Sequence, residues 1–310
     1  MPDSSLEDTL ELTVPMFAVA SEPARPISGR VQVEFGARSD VGRVRANNED
    51  AFLIFRTGRY LETHASSLPE GDLPRRFEDT GYTMVVADGM GGHAAGEVAS
   101  RTAIRSVVDS VLNAVKWALK LDHPEAREQE LQEARERALE YVRRIDDEIR
   151  RRGRSEEGLA GMGTTLTAAY SFARDLFLVH VGDSRAYLFR GGRLRRLTRD
   201  QTLAQALADA GEIPQQEVER HRLRHVLTQA LGTGSAGRVE LGHRELRDGD
   251  RVLLCSDGLT DMLDDTGIAE VLAAHPGSDD ASAALVARAL ENGGRDNVTV
   301  LLARYTIPAA

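Results

Sequence analysis

The chain has 310 residues, of which 41% are hydrophobic and 28% are charged, and its formal net charge is -10. This length is enough to bury a hydrophobic core in one large domain or two small ones. The negative charge argues against a general affinity for nucleic acid or for an anionic membrane, since both would repel it. The single cysteine excludes an intramolecular disulfide and a zinc cluster of thiolates. We therefore expect a protein of a reducing compartment, the cytoplasm.

Residues 1–30 mix Pro, Ser, Asp and Glu without periodicity, and we predict that they form a flexible N-terminal extension. No basic region precedes the apolar residues 14–20, so a signal peptide is not predicted. No stretch approaches the roughly 18 apolar residues that a spanning helix needs. The folded domain is predicted to cover residues 31–307, without membrane contact.

The first half of this domain is predicted to contain three strands and two helices. Apolar residues alternate over 31–35 and at the start of 51–55, and a buried strand over 82–87 ends at Asp88. The polar residues 56–81 between them are predicted to form a long loop. A helical apolar stripe runs from residue 97 to about 121, and a highly charged helix, with a solvated face, covers 125–152.

The second half is predicted to be richer in strands. A hairpin turns at Gly191-Gly192, because two alternating runs meet there. The other predicted elements are strands over 164–172, 176–181, 250–255 and 298–304, short helices and loops over 199–232, and a helix over 281–290. Strands that come in groups, with helices between them, favour antiparallel sheets covered by helices over a regular βαβ alternation.

Acidic residues adjoin predicted strands at four separate places in the chain. Asp50 directly precedes a strand, Asp88 and Asp257 follow strands, and Asp296 lies one residue before another. Neighbouring strands lie about 5 Å apart, so aspartates at one edge of a sheet can converge on a single cation site. Oxygen ligands without a cysteine partner select magnesium or manganese over zinc.

Each of these places, taken alone, has a simpler interpretation. The Asp-Gly pairs at 88–89 and 257–258 are typical of turns, Asp-Asn at 296–297 could be a turn, and residues 47–50 could be a solvated loop. Their recurrence favours a cation site, because burying several carboxylates without cations is costly. The glycines at 89, 91 and 92 match neither a P-loop nor a dinucleotide fingerprint, and a close approach of the backbone to a metal explains them better.

Six motifs resemble, in the same order, those of the bacterial branch of the type 2C protein phosphatases. They are Arg45 with Glu49-Asp50, Val-Val-Ala-Asp-Gly-Met-Gly-Gly-His-Ala-Ala-Gly-Glu at 85–97, Gly-Met-Gly-Thr-Thr at 161–165, Val-Gly-Asp-Ser-Arg at 181–185, Cys-Ser-Asp-Gly-Leu at 255–259 and Arg-Asp-Asn-Val-Thr at 295–299. The resemblance covers roughly residues 33–305. It implies an α+β fold, a four-layer αββα sandwich of two antiparallel β-sheets flanked by helix pairs.

The resemblance also implies two manganese or magnesium ions at one end of the sandwich. Asp88 is expected to bridge both ions, with the carbonyl of Gly89 on one of them. Asp257 and Asp296 are expected to complete the other site. Glu49 and Asp50 are expected to act mostly through metal-bound waters.

Two further residues receive catalytic roles from the resemblance. Arg45, four residues before Glu49, is expected to bind two phosphate oxygens through its planar guanidinium, which a lysine could not reproduce. His93 is the candidate for protonating the leaving seryl or threonyl oxygen. Alternatively, His93 hydrogen-bonds a carboxylate and orients a metal ligand.

Other polar residues near these motifs are interpreted differently. Asp183 lies at a turn between strands, where a structural role is expected. Many bacterial relatives bind a third metal with an aspartate three residues before Gly-Met-Gly-Thr-Thr. That position is Gly158 here, so the third ion stays open, with Glu157 as the alternative ligand. His180, His221 and His225 show no ligand spacing and are not included in the site.

The resemblance implies hydrolysis of phosphoserine and phosphothreonine in proteins, with Ser/Thr kinases and their targets as partners and a monomeric enzyme. A pseudophosphatase that binds phosphoproteins without turnover is the main rival, and the complete aspartate set argues against it. A metal phosphodiesterase or nuclease is a third interpretation. The acidic charge and the lack of a basic groove oppose it.

Overall fold

Two antiparallel β-sheets form the centre of the protein, and the computed structural model describes residues 27–69, 71–91, 94–114, 124–234 and 237–309. The strands are β1 (Gln32–Asp40), β2 (Asp50–Glu62), β3 (Arg76–Met90), β4 (Gly163–Thr164), β5 (Leu166–Phe172), β6 (Asp175–Val181), β7 (Arg185–Arg190), β8 (Arg193–Arg196), β9 (Glu240–Glu245), β10 (Arg251–Cys255) and β11 (Val298–Thr306). One sheet has the order β1-β11-β10-β7-β8. The other has the order β2-β3-β5-β6-β9, with β4 paired to β3.

Helices cover the outer face of each sheet. They are α1 (Ala94–Leu112), α2 (Pro124–Ser155), α3 (Leu203–Asp209), α4 (Asp257–Thr260), α5 (Asp265–Ala274) and α6 (Ser278–Glu291), with 3-10 helices at Ile27–Arg30 and Gln215–Arg220. Apolar residues of α1 and α2 pack on the six-stranded sheet, and those of α5 and α6 on the five-stranded sheet. The predicted four-layer αββα sandwich is therefore confirmed. No helix in the described ranges is both long and apolar enough to cross a membrane.

The hydrophobic core between the sheets follows from strand alternation. Met84 and Val86 of β3 face this core, as do Leu254 of β10 and Leu301 of β11. The residues between them, such as Val85 and Leu302, face the helices instead. Because successive side chains point to opposite faces, both faces of these strands are apolar and buried.

The long loop predicted for residues 56–81 is wrong. Strands β2 and β3 form one hairpin, paired from Asp50 opposite Asp88 to Glu62 opposite Arg76, and only residues 63–75 connect them. A ladder of backbone hydrogen bonds does not depend on apolar side chains, so polar residues can extend it. Asp79 in the outer part of β3 is buried and accepts a hydrogen bond from Ser28 Oγ at 2.7 Å.

Other predicted bounds differ from the structure by a few residues or more. The first helix begins at Ala94 and ends at Leu112, and part of its predicted end, residues 115–121, lies outside the described residues. Strand β9 was not predicted, because its sequence Glu-Leu-Gly-His-Arg-Glu has little apolar alternation; it pairs only with β6, at the edge of the sheet. The hairpin turn at Gly191-Gly192 is confirmed, with φ of 56° and 76°.

Candidate metal centre

The candidate metal centre lies where the core between the sheets ends. Asp88 occupies the next position after Met84 and Val86 on the inward-facing side of β3, and Asp50 lies opposite it in β2. On the other sheet, Thr299 continues the inward-facing row of Leu301. Carboxylates and hydroxyls thus replace apolar side chains at one end of the sandwich.

Asp50 connects the two sheets. Its Oδ2 atom accepts hydrogen bonds from Ser256 Oγ at 2.7 Å and from Thr299 Oγ1 at 2.7 Å. The residue is partly exposed as a whole, but its Oδ1 atom is buried and has no hydrogen-bond partner among the described residues. Burial raises the pKa of Asp50 to about 7, and the charges of Asp257 and Asp296 add to the shift. A buried carboxylate oxygen without a donor is the kind of atom that a cation satisfies.

Asp88 and Asp183 lie in the same electrostatic environment. Burial raises the pKa of Asp88 well above its ordinary value, and the nearby Asp50 and Asp257 charges raise it further. Burial also raises the pKa of Asp183, again with a contribution from Asp257. Carboxylates that repel one another in a buried site fit a centre for divalent cations, because the cation offsets both penalties. The all-oxygen donor set suits manganese or magnesium.

Threonines at 164–165 hold the backbone of Asp88 in place. Thr165 Oγ1 accepts a hydrogen bond from the Asp88 N–H at 2.9 Å, and Thr164 Oγ1 donates to the Asp88 carbonyl at 2.8 Å. Thr165 Oγ1 also bonds Ser184 Oγ at 2.8 Å. A side chain at Gly182, whose φ is 111°, would meet Thr165 at 2.6 Å. The motifs at 161–165 and 181–185 are therefore the scaffold of Asp88.

Replacing Thr165 by Val is expected to destabilise the fold by about 1–3 kcal/mol and to weaken manganese binding. The change keeps the shape of the side chain but removes the acceptor of the Asp88 N–H and the partner of Ser184, all in a buried place. Chemical denaturation measures the stability, and calorimetric titration measures the affinity for manganese.

Thr198→Val is the matched control. Thr198 is also buried, and its Oγ1 accepts a hydrogen bond from a backbone N–H, that of Ala186, at 3.0 Å. It does not line the cleft described below. Both variants should lose stability, but only Thr165→Val should lose manganese affinity. An equal effect on affinity would contradict the role assigned to Thr165.

Asn297 connects the loop before β2, which carries Glu49, to the loop before β11, which carries Asp296. Its Oδ1 accepts from the Glu49 N–H at 2.7 Å, and its Nδ2 donates to the carbonyls of Val41 at 2.9 Å and Asn47 at 2.8 Å. In the same region Arg45 Nη2 donates to Asp296 Oδ2 at 2.6 Å. The Asp-Asn pair at 296–297 thus does more than form a turn, because its amide positions the loop before β2.

Glycines allow a close backbone approach beside Glu49. A Cβ atom at Gly89 would lie 2.1 Å from the Gly96 carbonyl oxygen, and one at Gly96 would lie 2.4 Å from Glu49 Oε2. The Gly89 N–H also donates to the Glu49 carbonyl at 3.2 Å. The start of α1 can therefore lie directly against the end of β3 and the Glu49 side chain. No larger residue fits at either glycine without moving the backbone.

The structure brings together most of the site residues predicted from the sequence. A cleft of about 980 Å³ is lined by Arg45, Glu49, Asp88, Gly89, Asp257 and Asp296. Asp50 lies behind this lining, between the sheets. His93 lies outside the described residues. Asp183, which was assigned a structural role, also lines the cleft.

Three residues on the cleft wall were not predicted from the sequence, and two of them lie in the 199–232 segment. His225 Nδ1 lies 3.7 Å from Asp257 Oδ2, and its Nε2 lies 3.4 Å from Asp261 Oδ2. Arg224 Nη2 lies 3.4 Å from Asp261 Oδ2 as well. The nearby carboxylate of Asp257 raises the pKa of His225. The spacing of four residues from Asp257 to Asp261 in and after α4 was a usable signal, but nothing in the sequence indicated His225.

The cleft wall around Asp257 also bears on whether a third metal ion binds. Gly158 and Glu157 are not among the described residues that line the cleft. His225, Asp257 and Asp261 offer ligand atoms within 4.8 Å of one another. A cation beside Asp257 would therefore find the His225 imidazole and the Asp261 carboxylate, and not Gly158 or Glu157.

Comparison with known proteins agrees with this architecture and site. Residues 66–291 match the family described as protein phosphatase 2C. The chain belongs to the protein phosphatase 2C family. This family member is 39% identical over 271 residues to the serine/threonine protein phosphatase PstP of Mycobacterium tuberculosis. The match covers 87% of this chain but 45% of PstP, so the chain spans about half the length of that relative.

Two further similarities cover most of both chains. The serine/threonine phosphatase stp of Listeria monocytogenes is 34% identical to this protein phosphatase 2C family member over 265 residues, which is 86% of this chain and 93% of stp. A crystal structure of the PstP catalytic domain in complex with two manganese ions is 36% identical, with a TM-score of 0.66, and covers 89% of this chain and 99% of that one. The resemblance and the fold expected from the sequence motifs are confirmed.

Proposed function

We propose that this chain is a metal-dependent serine/threonine protein phosphatase. The observation that carries the proposal is the convergence of Asp50, Asp88, Asp257 and Asp296, from four separate segments, on one end of the sandwich, with a buried Oδ1 atom of Asp50 that has no donor among the described residues. The names of the relatives PstP and stp support the same activity.

The acidic residues divide into direct and indirect ligands in this proposal. Asp88 and the Gly89 carbonyl would hold one manganese or magnesium ion, and Asp88, Asp257 and Asp296 the other. Glu49 and Asp50 would hold metal-bound waters in position. Two such ions, when bound, lower the pKa of a shared water and offset charge on the phosphoryl oxygens.

Arg45 is proposed to bind the phosphate. Its guanidinium lies at the cleft, with 57% of the side chain exposed, and pairs with Asp296. An Asp296 carboxylate that turns toward a cation would release Arg45, whose planar fork can then donate two parallel hydrogen bonds to phosphate oxygens. His93 is proposed to protonate the leaving oxygen of the serine or threonine.

Phosphorylated proteins are the proposed substrates, with serine/threonine kinases and their targets as partners. We propose that the enzyme works as a monomer in the cytoplasm. The cleft holds acidic residues that would repel a nucleic-acid backbone, so a nuclease is disfavoured.

The decisive experiment compares substrates and metals on one preparation. A phosphothreonine peptide should be hydrolysed with manganese or magnesium and not after chelation with EDTA, while bis(p-nitrophenyl) phosphate and DNA should stay intact. Hydrolysis of the diesters alone would support a phosphodiesterase. Tight peptide binding without turnover would support a pseudophosphatase.

A further inference from the structure

Three arginines and one histidine line the cleft, and one of the arginines has no partner among the described residues. Arg45 pairs with Asp296, while Arg224 and His225 lie within 3.4 Å of Asp261 Oδ2. Arg295 also lines the cleft and is exposed. It makes no hydrogen bond or ion pair with any described residue, so its guanidinium is available to a ligand.

The backbone that carries Arg295 is fixed by tight contacts. The Gly294 carbonyl accepts a hydrogen bond from the Arg43 N–H at 2.6 Å. A Cβ atom at Gly42 would lie 2.3 Å from the Asp296 carbonyl oxygen. Gly293 and Gly294 have φ of 133° and 52°, which few other residues adopt. The cationic side chain therefore projects from a defined point on the cleft wall, and not from an adaptable loop.

Arg295 is also next to a proposed metal ligand. Consecutive Cα atoms are about 3.8 Å apart, so Arg295 starts beside Asp296, while the reacting phosphate would lie on the ions that Asp296 helps to hold. An extended peptide advances about 3.3 Å per residue. The group that meets Arg295 therefore belongs to a substrate residue about one to three positions from the phosphorylated one.

We propose that Arg295 is a binding site for a second anionic group of the substrate, a carboxylate or a second phosphate near the residue that is hydrolysed. Arginine binds both groups through paired hydrogen bonds. A protein of net charge -10, with an acidic cleft, needs such a local cation to accept an acidic segment. This inference rests on the proposed function and names its substrate class.

The test uses three phosphothreonine peptides that differ only at two positions beside the phosphothreonine. One carries two alanines there, the second carries two glutamates, and the third carries one alanine and one phosphonate analogue of phosphothreonine, which cannot be hydrolysed. For each peptide kcat/KM is measured with manganese, at low and at high salt, for the natural protein and for Arg295→Ala, Arg295→Lys and Arg193→Ala. Arg193 is also exposed and lies in the hairpin of β7 and β8, outside the cleft.

The natural protein and Arg193→Ala are expected to prefer the acidic peptides over the alanine peptide by about 3- to 5-fold, as one exposed charge-assisted contact allows. Arg295→Ala should reduce the preference to about twofold or less, and Arg295→Lys should retain part of it. High salt should weaken the preference in the natural protein. A larger preference for the second phosphate than for glutamate would identify phosphate as the group that Arg295 binds. Equal preferences would show that Arg295 accepts either anion.

Two results overturn the inference. One is a natural protein that does not distinguish the three peptides, and the other is an Arg295→Ala variant that keeps the full preference. In both cases the alanine peptide is still hydrolysed, so the proposed function survives. Failure of manganese-dependent hydrolysis of all three peptides would instead refute the proposed function itself.

Discussion

Replacing Asp257 by Asn should lower manganese-dependent kcat/KM for a phosphothreonine peptide by about 10²- to 10⁴-fold. The change removes one negative charge from the centre of the cleft, where Asp257 faces Asp88, Asp183 and His225. An amide is a weaker ligand for a hard cation than a carboxylate. Calorimetric titration should show weaker manganese binding, and steady-state kinetics should show the loss of turnover.

Asp279→Asn is the control for this experiment. Asp279 lies in the first turn of α6 and does not line the cleft. It pairs with Arg38, just as Asp296 in the cleft pairs with Arg45. It is exposed, and its loss should leave the kinetics unchanged. If Asp257→Asn kept the turnover and the manganese affinity of the natural protein, the proposed metal centre would be wrong.

Replacing Asp50 by Asn should have opposite effects on stability and on activity. Without metal at pH 8, the carboxylate of Asp50 is charged although its Oδ1 atom is buried without a donor, and a neutral amide removes this penalty. We expect the metal-free protein to gain about 1–3 kcal/mol in free energy of unfolding, while manganese-dependent turnover falls at least about tenfold.

The pH dependence of stability follows from the same pKa. The pKa of Asp50 is about 7 in the folded protein, against 3.8 for an ordinary aspartate, so the folded state binds more protons between these values. Its contribution to stability is therefore fully present below about pH 4 and is lost as the pH rises through 7. Thermal melts of the metal-free protein at pH 5.5 and pH 8 should show this loss, which Asp50→Asn should reduce.

Replacing Asp250 by Asn should have the opposite effect on the stability of the metal-free protein. Asp250 is also buried, but its Oδ1 and Oδ2 atoms accept hydrogen bonds from Arg190 at 2.7 and 2.5 Å, and its Oδ2 accepts one from the Arg247 N–H at 2.7 Å. Its replacement should destabilise the fold, because it leaves charged donors without a partner. A destabilised Asp50→Asn protein without metal would contradict the view that the buried, unpaired oxygen of this carboxylate lowers the stability of the fold.

The sequence was most informative where motifs and alternation agree. Asp88 follows Met84 and Val86 at spacings of two, so its inward position was already implied by the strand pattern. The order of the six motifs then predicted the family and the sandwich. Residues outside such patterns were harder to predict: β9 is a short edge strand with little alternation, and the outer part of the β2-β3 hairpin is polar.

The partners of the predicted residues could not be predicted from the sequence, because they come from distant segments. Ser256 and Thr299 donate to Asp50 across the two sheets, and they are 206 and 249 residues away along the chain. Thr165 supports Asp88 from 77 residues away. His225 approaches Asp257 because the segment after α3 contributes residues to the cleft wall. Such contacts depend on tertiary packing and leave no local periodicity.

The position of Asp50 between the sheets gives cation binding a mechanical consequence. Asp50 and Asp88 belong to the six-stranded sheet, whereas Asp257 and Asp296 adjoin β10 and β11 of the five-stranded sheet. Ions held by both groups would act as a cross-link between the two layers, in addition to the catalytic role proposed for them. Chelation should therefore loosen this end of the sandwich first, with faster amide hydrogen exchange there than at the opposite end.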